Sequence, residues 1–70
     1  MGMSAEDKLL LESVEEVFAR RAHEALRGPA LAMAKLIIEL CPDVMERQTA
    51  IIKLEEAVMW ASVTLPRKEA

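Results

Sequence analysis

Pro29-Ala30-Leu31-Ala32-Met33-Ala34-Lys35-Leu36-Ile37-Ile38-Glu39-Leu40-Cys41-Pro42-Asp43-Val44-Met45-Glu46 is the stretch on which the reading of this chain turns. Between Ala30 and Cys41 only Lys35 and Glu39 interrupt an aliphatic run. On a helical wheel the apolar residues cover nearly the whole circumference. Pro29, with its fixed φ and missing N–H, suits a first helical position, and Pro42 cannot continue a helix. The pattern predicts a helix over about 29–41. Asp43 then offers a side-chain oxygen to the first turn of a further helix, with Glu46 at the reciprocal capping position. Two helices joined across Cys41-Pro42-Asp43 make an antiparallel hairpin.

The second arm of that hairpin reads as a helix over about 44–65, with Ile51, Leu54, Val58, Ala61 and Leu65 on one seam. A second apolar stripe, Met45, Ile52, Met59 and Val63, lies roughly a quarter turn away. Two seams imply two partners, the other arm for the first and the N-terminal helix or another protomer for the second. Upstream, Ser4 can cap a helix with Asp7 three residues on, and Gly28-Pro29 reads as its stop, which predicts a helix over about 5–26. Leu11, Val14, Phe18, Ala22 and Ala25 step by threes and fours along it. Its opposite side carries Glu12, Glu15, Glu16, Arg20 and Glu24, and Glu16 with Arg20 has the favourable i,i+4 spacing. The fold class is all-α: one helical domain over 1–70, a hairpin preceded by an N-terminal helix. The terminal Arg67-Lys68-Glu69-Ala70 is a polar tail expected to fray.

Seventy residues bury too small a share of their surface to make a generous core alone. Such domains need a staple. A disulfide is excluded by the single Cys41, and a structural zinc by one Cys and one His. Self-association remains, and an apolar helix that two neighbours cannot cover agrees with it, so the expected form is a homo-oligomeric helical bundle. A hydrophobic fraction of 53% with only 3% aromatics makes the available surface aliphatic, which is helix-former chemistry. A net charge of −3 and no basic stripe argue against DNA or RNA as partner. The N-terminus lacks a basic region followed by a hydrophobic signal core, and no apolar run reaches membrane-spanning length. A cytoplasmic protein with no membrane partner is expected, and a free thiol fits that reducing compartment.

Catalytic chemistry finds no foothold in the residues. His23 is the single histidine and has no nucleophile beside it in a recognisable motif, so it reads as a helix-surface residue. Cys41 reads as a small hydrophobe at a helix end. Glu55 and Glu56 are adjacent, and neighbours on a helix diverge too far to share a proton or metal, so they read as solvated or subunit-pairing charges. Trp60 points away from the main seam and reads as a subunit contact. No catalytic residue, metal ligand or cofactor is assigned, and the chain is read as no enzyme. One local feature suits a ligand. N–H groups at the start of the second helix favour an anion, Gly28 would let it approach the backbone, and Arg27 can add a bidentate phosphate contact.

From Arg27 to Arg67 the chain resembles a phage hairpin family, the small sponge proteins that defeat the CBASS and Thoeris bacterial defences by sequestering cyclic nucleotide signals. The resemblance is carried by Arg27, the Ala-rich helix, Glu39-Leu40-Cys41-Pro42-Asp43, Glu46-Arg47 and Leu54-Glu55-Glu56-Ala57-Val58-Met59-Trp60-Ala61. The last stretch is the most specific, because helix packing does not dictate it. The resemblance implies a helical homo-oligomer, a hexamer, holding cyclic dinucleotides between protomers near the start of the hairpin's first helix, and in some relatives cyclic trinucleotides at a separate site, in the host bacterial cytoplasm. It implies ligand-binding roles for Arg27, which falls where the family uses a basic residue near a helix start, and for Arg67, which falls on the arginine of the C-terminal ending. Together with the residue-level reading, the expected ligand-binding set is Arg27, Gly28, Pro29, Arg67 and His23. The family's upstream tyrosine has no counterpart, since its place falls on Glu12 and the chain contains no tyrosine. Besides arginine, planar stacking surfaces are then limited to His23, Phe18 and Trp60. The expected function is immune evasion by binding without cleavage, and the alternative is a helical assembly or adaptor module with no small-molecule ligand.

Overall fold

Ser4 opens the first helix as its spacing to Asp7 predicts, the Asp7 N–H donating to Ser4 Oγ at 3.1 Å. Asp43 opens the last helix in the same way, accepting from the Glu46 N–H at 2.9 Å. The computed structural model describes residues 3–66, and Arg67 with the rest of the polar tail lies outside them. The described residues form three helices and no strand: α1 over Ala5–Arg21, α2 over Glu24–Leu40 and α3 over Val44–Thr64. The all-α hairpin of α2 and α3 turns across Cys41-Pro42-Asp43 as expected.

The boundary between α1 and α2 differs from the sequence reading. The expected helices over about 5–26 and 29–41 are corrected, because the break falls at Ala22-His23 and Gly28-Pro29 lies inside α2. Two extended residues make it, Ala22 at φ −86°, ψ 141° and His23 at φ −59°, ψ 140°. His23 is the N-cap, its Nδ1 accepting from the Ala25 N–H at 3.0 Å as an Asn or Asp oxygen would. Pro29 removes one donor from the early helical ladder, the one that would serve the Ala25 carbonyl. Ala25 is exposed, so water can take that carbonyl. Gly28 has no left-handed conformation, and an added Cβ would meet nothing within 4 Å. It is an ordinary helical residue here.

Each helix gives a narrow stripe to the common core: Val14, Phe18 and the adjoining Ala22 from the first, Ala30, Ala34 and Ile38 from the second, Ile51 and Val58 from the third. Ala30 and Ala34 are small enough to let the neighbouring helices approach. Ile38 is 1% exposed, and truncating such a residue to alanine costs about 2–5 kcal/mol. Arg47 straps the three helices together at the far end of the bundle. Its Nη2 pairs with Asp7 of α1 at 3.2 Å and its Nη1 donates to the Ile38 carbonyl of α2 at 3.3 Å.

A bundle of 40 × 19 × 15 Å gives each helix only two neighbours. Met33, Leu36 and Leu40 on α2 are therefore left in solvent, as are Met45, Ile52 and Val63 on α3. Among the second-seam residues, Met59 alone is half-buried, its sulfur accepting from Arg21 Nη1 at 3.8 Å. No helix of the described residues is long and apolar enough to cross a membrane.

Candidate functional site

The break between α1 and α2 concentrates charge. Arg20 and Arg21 close the last turn of α1, where cations favour the helix dipole, and Glu24 opens α2, where an anion does. A third guanidinium, Arg27, reaches back one turn so that its Nε donates to the Ala22 carbonyl at 3.0 Å. These side chains, with His23 and Ser62, line a cavity of about 300 Å³ at the elbow.

The elbow is fixed by His23 and α3. The backbone N–H of His23 donates to Ser62 Oγ at 2.8 Å, and the Ser62 hydroxyl donates in turn to the Val58 carbonyl at 2.7 Å. Because Nδ1 accepts from Ala25, the ring proton belongs on Nε2, which stands 2.9 Å from the Pro66 carbonyl oxygen and donates to it. Both ring nitrogens are thus committed to the protein. His23 can offer a ligand its face and edge and no hydrogen-bond donor.

The arginines are differently employed. Arg20 lies 3.9 Å from Glu16 in the expected i,i+4 pair, both side chains well solvated. Among the described residues Arg21 donates only to the weak thioether acceptor of Met59, and Arg27 retains the two terminal nitrogens of its fork. Among the described residues neither Arg21 nor Arg27 pairs with a carboxylate. In a chain of net charge −3, three guanidiniums around one cavity make a local reversal of sign. Such a cavity attracts anions, and the fork geometry of Arg suits phosphate oxygens.

Of the residues expected to bind a ligand, Arg27 and His23 come together at this cavity. Gly28 and Pro29 do not line it. The reason is the shifted helix start, since the Gly28 N–H lies within the helical ladder and the Pro29 ring within the second turn. Arg67 lies outside the described residues. Phe18 is 2% exposed and offers no stacking surface, while Trp60 is 71% exposed but stands outside the cavity. Arg20, Arg21, Glu24 and Ser62 were not in the expected set. Arg20-Arg21 followed by Glu24 is a basic-to-acidic switch of the kind that flanks a helix end and a helix start, a weaker signal than the Gly28-Pro29 stop.

At the opposite end a second cavity, of about 370 Å³, is lined by Met3, Asp7, Glu39, Cys41 and Arg47 among others. Its one guanidinium is already bound to Asp7, so it carries no comparable positive field. Burial pushes the Glu55 carboxyl above the usual carboxylate range, with desolvation as the cause, so of the two roles expected of Glu55, a solvated charge or a subunit-pairing one, the fully solvated one does not describe it. Among the described residues no group of three or more His, Cys, Asp or Glu side chains is arranged to hold a metal. No family model, no curated protein and no solved structure matches the chain.

Proposed function

We propose that this protein binds and sequesters a phosphate-bearing cyclic oligonucleotide without cleaving it, and that it does so as a homo-oligomer. The observation that carries the reading is the elbow cavity, where Arg20, Arg21 and Arg27 surround the α2 N-terminus in an otherwise acidic chain. Two of the three guanidiniums have no carboxylate partner among the described residues, so an incoming phosphate need not break an existing pair. The similarity of Leu54–Ala61 to the anti-CBASS and anti-Thoeris sponges supplies the ligand class, and Arg27 is common to both lines of support. In this reading the protein is phage-encoded and acts in the host cytoplasm, lowering the free concentration of an immune signal by mass action.

Self-association is supported by the apolar side chains that two neighbours per helix leave uncovered, Met33, Leu36 and Leu40 on α2 and Met45, Ile52 and Val63 on α3. That same surface favours the second reading, an oligomeric adaptor with no ligand. The two separate in one experiment. Titration calorimetry with a panel of cyclic di- and trinucleotides, followed by recovery of the ligand after denaturation, is expected to give saturable binding and an intact nucleotide. Absence of binding across the panel rejects the sponge and leaves the adaptor, and a cleaved product rejects sequestration.

A further inference from the structure

Glu24 is out of character with the cavity it lines. It is the one carboxylate among three guanidiniums, it is exposed, and it forms no ion pair with any of them among the described residues. Its place at the first helical position favours the α2 dipole. Helix stability alone would be served as well by a carboxylate aimed away from the site. Within the site its effect on a bare polyphosphate is repulsive, and it offers only acceptors. What a carboxylate between arginines accommodates is a ligand whose phosphates lie beside hydrogen-bond donors, a single hydroxyl or an adjacent pair, since each of its two oxygens can accept a bond.

Resting on the proposed nucleotide reading, we infer that Glu24 is the specificity-determining residue of the elbow site, selecting phosphate esters that carry such donors over bare polyanions. Two parts of a nucleotide supply the chemistry. The guanine edge presents N1–H and the exocyclic amine side by side, and the ribose presents its 2′-hydroxyl. Adenine puts an acceptor beside its amine and would place that acceptor against the carboxylate. His23, with both nitrogens occupied, contributes to the same selection only through its ring face.

The test measures affinity of wild type and Glu24→Gln for cyclic di-guanylate, its inosine counterpart, its 2′-deoxy counterpart and inorganic pyrophosphate. The intact oligomer is used, and helicity is checked by circular dichroism. Glutamine keeps the size and one acceptor but removes the charge at an exposed position, and a loss of helicity would reveal misfolding. Wild type is expected to prefer cyclic di-guanylate at least about tenfold over one of the two analogues, the loss of one charged hydrogen bond. Preference over inosine assigns the base edge, and preference over the deoxy sugar assigns the ribose. In Glu24→Gln that discrimination should collapse while pyrophosphate binds more tightly. Equal discrimination in the variant, or pyrophosphate binding wild type as well as the dinucleotides do, overturns the role of Glu24 and leaves the anion site standing. If wild type binds none of the four probes, the anion site falls and the inference falls with it.

Discussion

Ser62 Oγ accepts the backbone N–H of His23 at 2.8 Å while donating to the Val58 carbonyl at 2.7 Å, so one hydroxyl on α3 holds the junction of α1 and α2 in place. The site is part-buried, and water cannot freely replace either bond. Ser62→Ala removes the acceptor and leaves the His23 N–H without one, which costs about 1–3 kcal/mol. Thermal or urea denaturation is expected to show that loss, and Ser62→Thr, which keeps the hydroxyl, should recover most of it. A destabilisation equal for both variants would mean that packing, and not the hydrogen bond, fixes the elbow.

Gly28 gives a sharper check on where α2 begins. A glycine that stops a helix resists substitution, but Gly28 sits within α2 with open space where a Cβ would go. Gly28→Ala should therefore stabilise the protein by about 0.4–1 kcal/mol, through helix propensity and a less flexible unfolded chain. A rise in the unfolding midpoint supports the Ala22-His23 break; a fall returns the break to Gly28-Pro29.

Much of the architecture was legible because its signals are local. Ser4 and Asp43 are strong caps, the Cys41-Pro42-Asp43 turn is short, and the Val14-Phe18 and Ile51-Val58 spacings give the core stripes directly. The α1–α2 break was not legible from the same rules. Gly28-Pro29 is the stronger conventional stop, and it was outweighed by a histidine cap whose acceptor geometry, together with Ser62 some 39 residues away, no local rule registers. The site was half legible for the same reason. Arg27 and His23 were expected in it, whereas Arg20 and Arg21 join them only because the chain turns at Ala22.

Glu55 links the fold to pH. Its carboxyl is raised by desolvation, so the folded chain holds that proton more firmly than the unfolded chain does. The sign follows: this residue's contribution is most favourable below the unfolded pKa and is lost as pH rises through the folded value. Glu55→Gln, which mimics the protonated form, is expected to stabilise the protein at neutral pH and to remove part of the stability gained on mild acidification. Denaturation midpoints of both proteins between pH 4 and 7, a range of about three units around the carboxylate values, provide the comparison. A Gln variant less stable than wild type at pH near 7 contradicts it.

The apolar stripe on α3 separates folding from assembly. Ile52 is 59% exposed within one chain, so Ile52→Glu leaves the three-helix core intact while placing a charge on the surface proposed for self-association. Light scattering should give a lower mass for Ile52→Glu with unchanged helicity. Ile38→Glu, by contrast, buries an unpaired charge in the core at a cost on the order of the whole stability and should not fold. A wild-type mass of 7.8 kDa with cooperative unfolding would reject the assembly outright.

The arginines of the elbow give the most direct test of ligand binding, and the choice of control matters. Arg47 is unsuitable, because its pairing with Asp7 and its bond to the Ile38 carbonyl make it structural. Lys35, exposed on α2 and outside both cavities, tests the general effect of removing one positive charge. Arg27→Ala should weaken cyclic dinucleotide binding about tenfold to a hundredfold, since a charged hydrogen bond is worth about 1.5–3 kcal/mol. Part of that loss is structural, because Arg27 Nε also holds the Ala22 carbonyl. Arg21 resolves the ambiguity. Among the described residues it donates to no backbone group and its one side-chain hydrogen bond is the weak one to Met59, so Arg21→Ala should lower affinity by a similar factor with the unfolding midpoint little changed. Arg27→Lys should recover only part of the binding, keeping the charge and losing the planar fork. Lys35→Ala should differ from wild type by less than about threefold, and the difference should shrink as salt is raised. If Lys35→Ala weakens binding as much as Arg21→Ala and Arg27→Ala do, the attraction is diffuse and the elbow cavity is not the site.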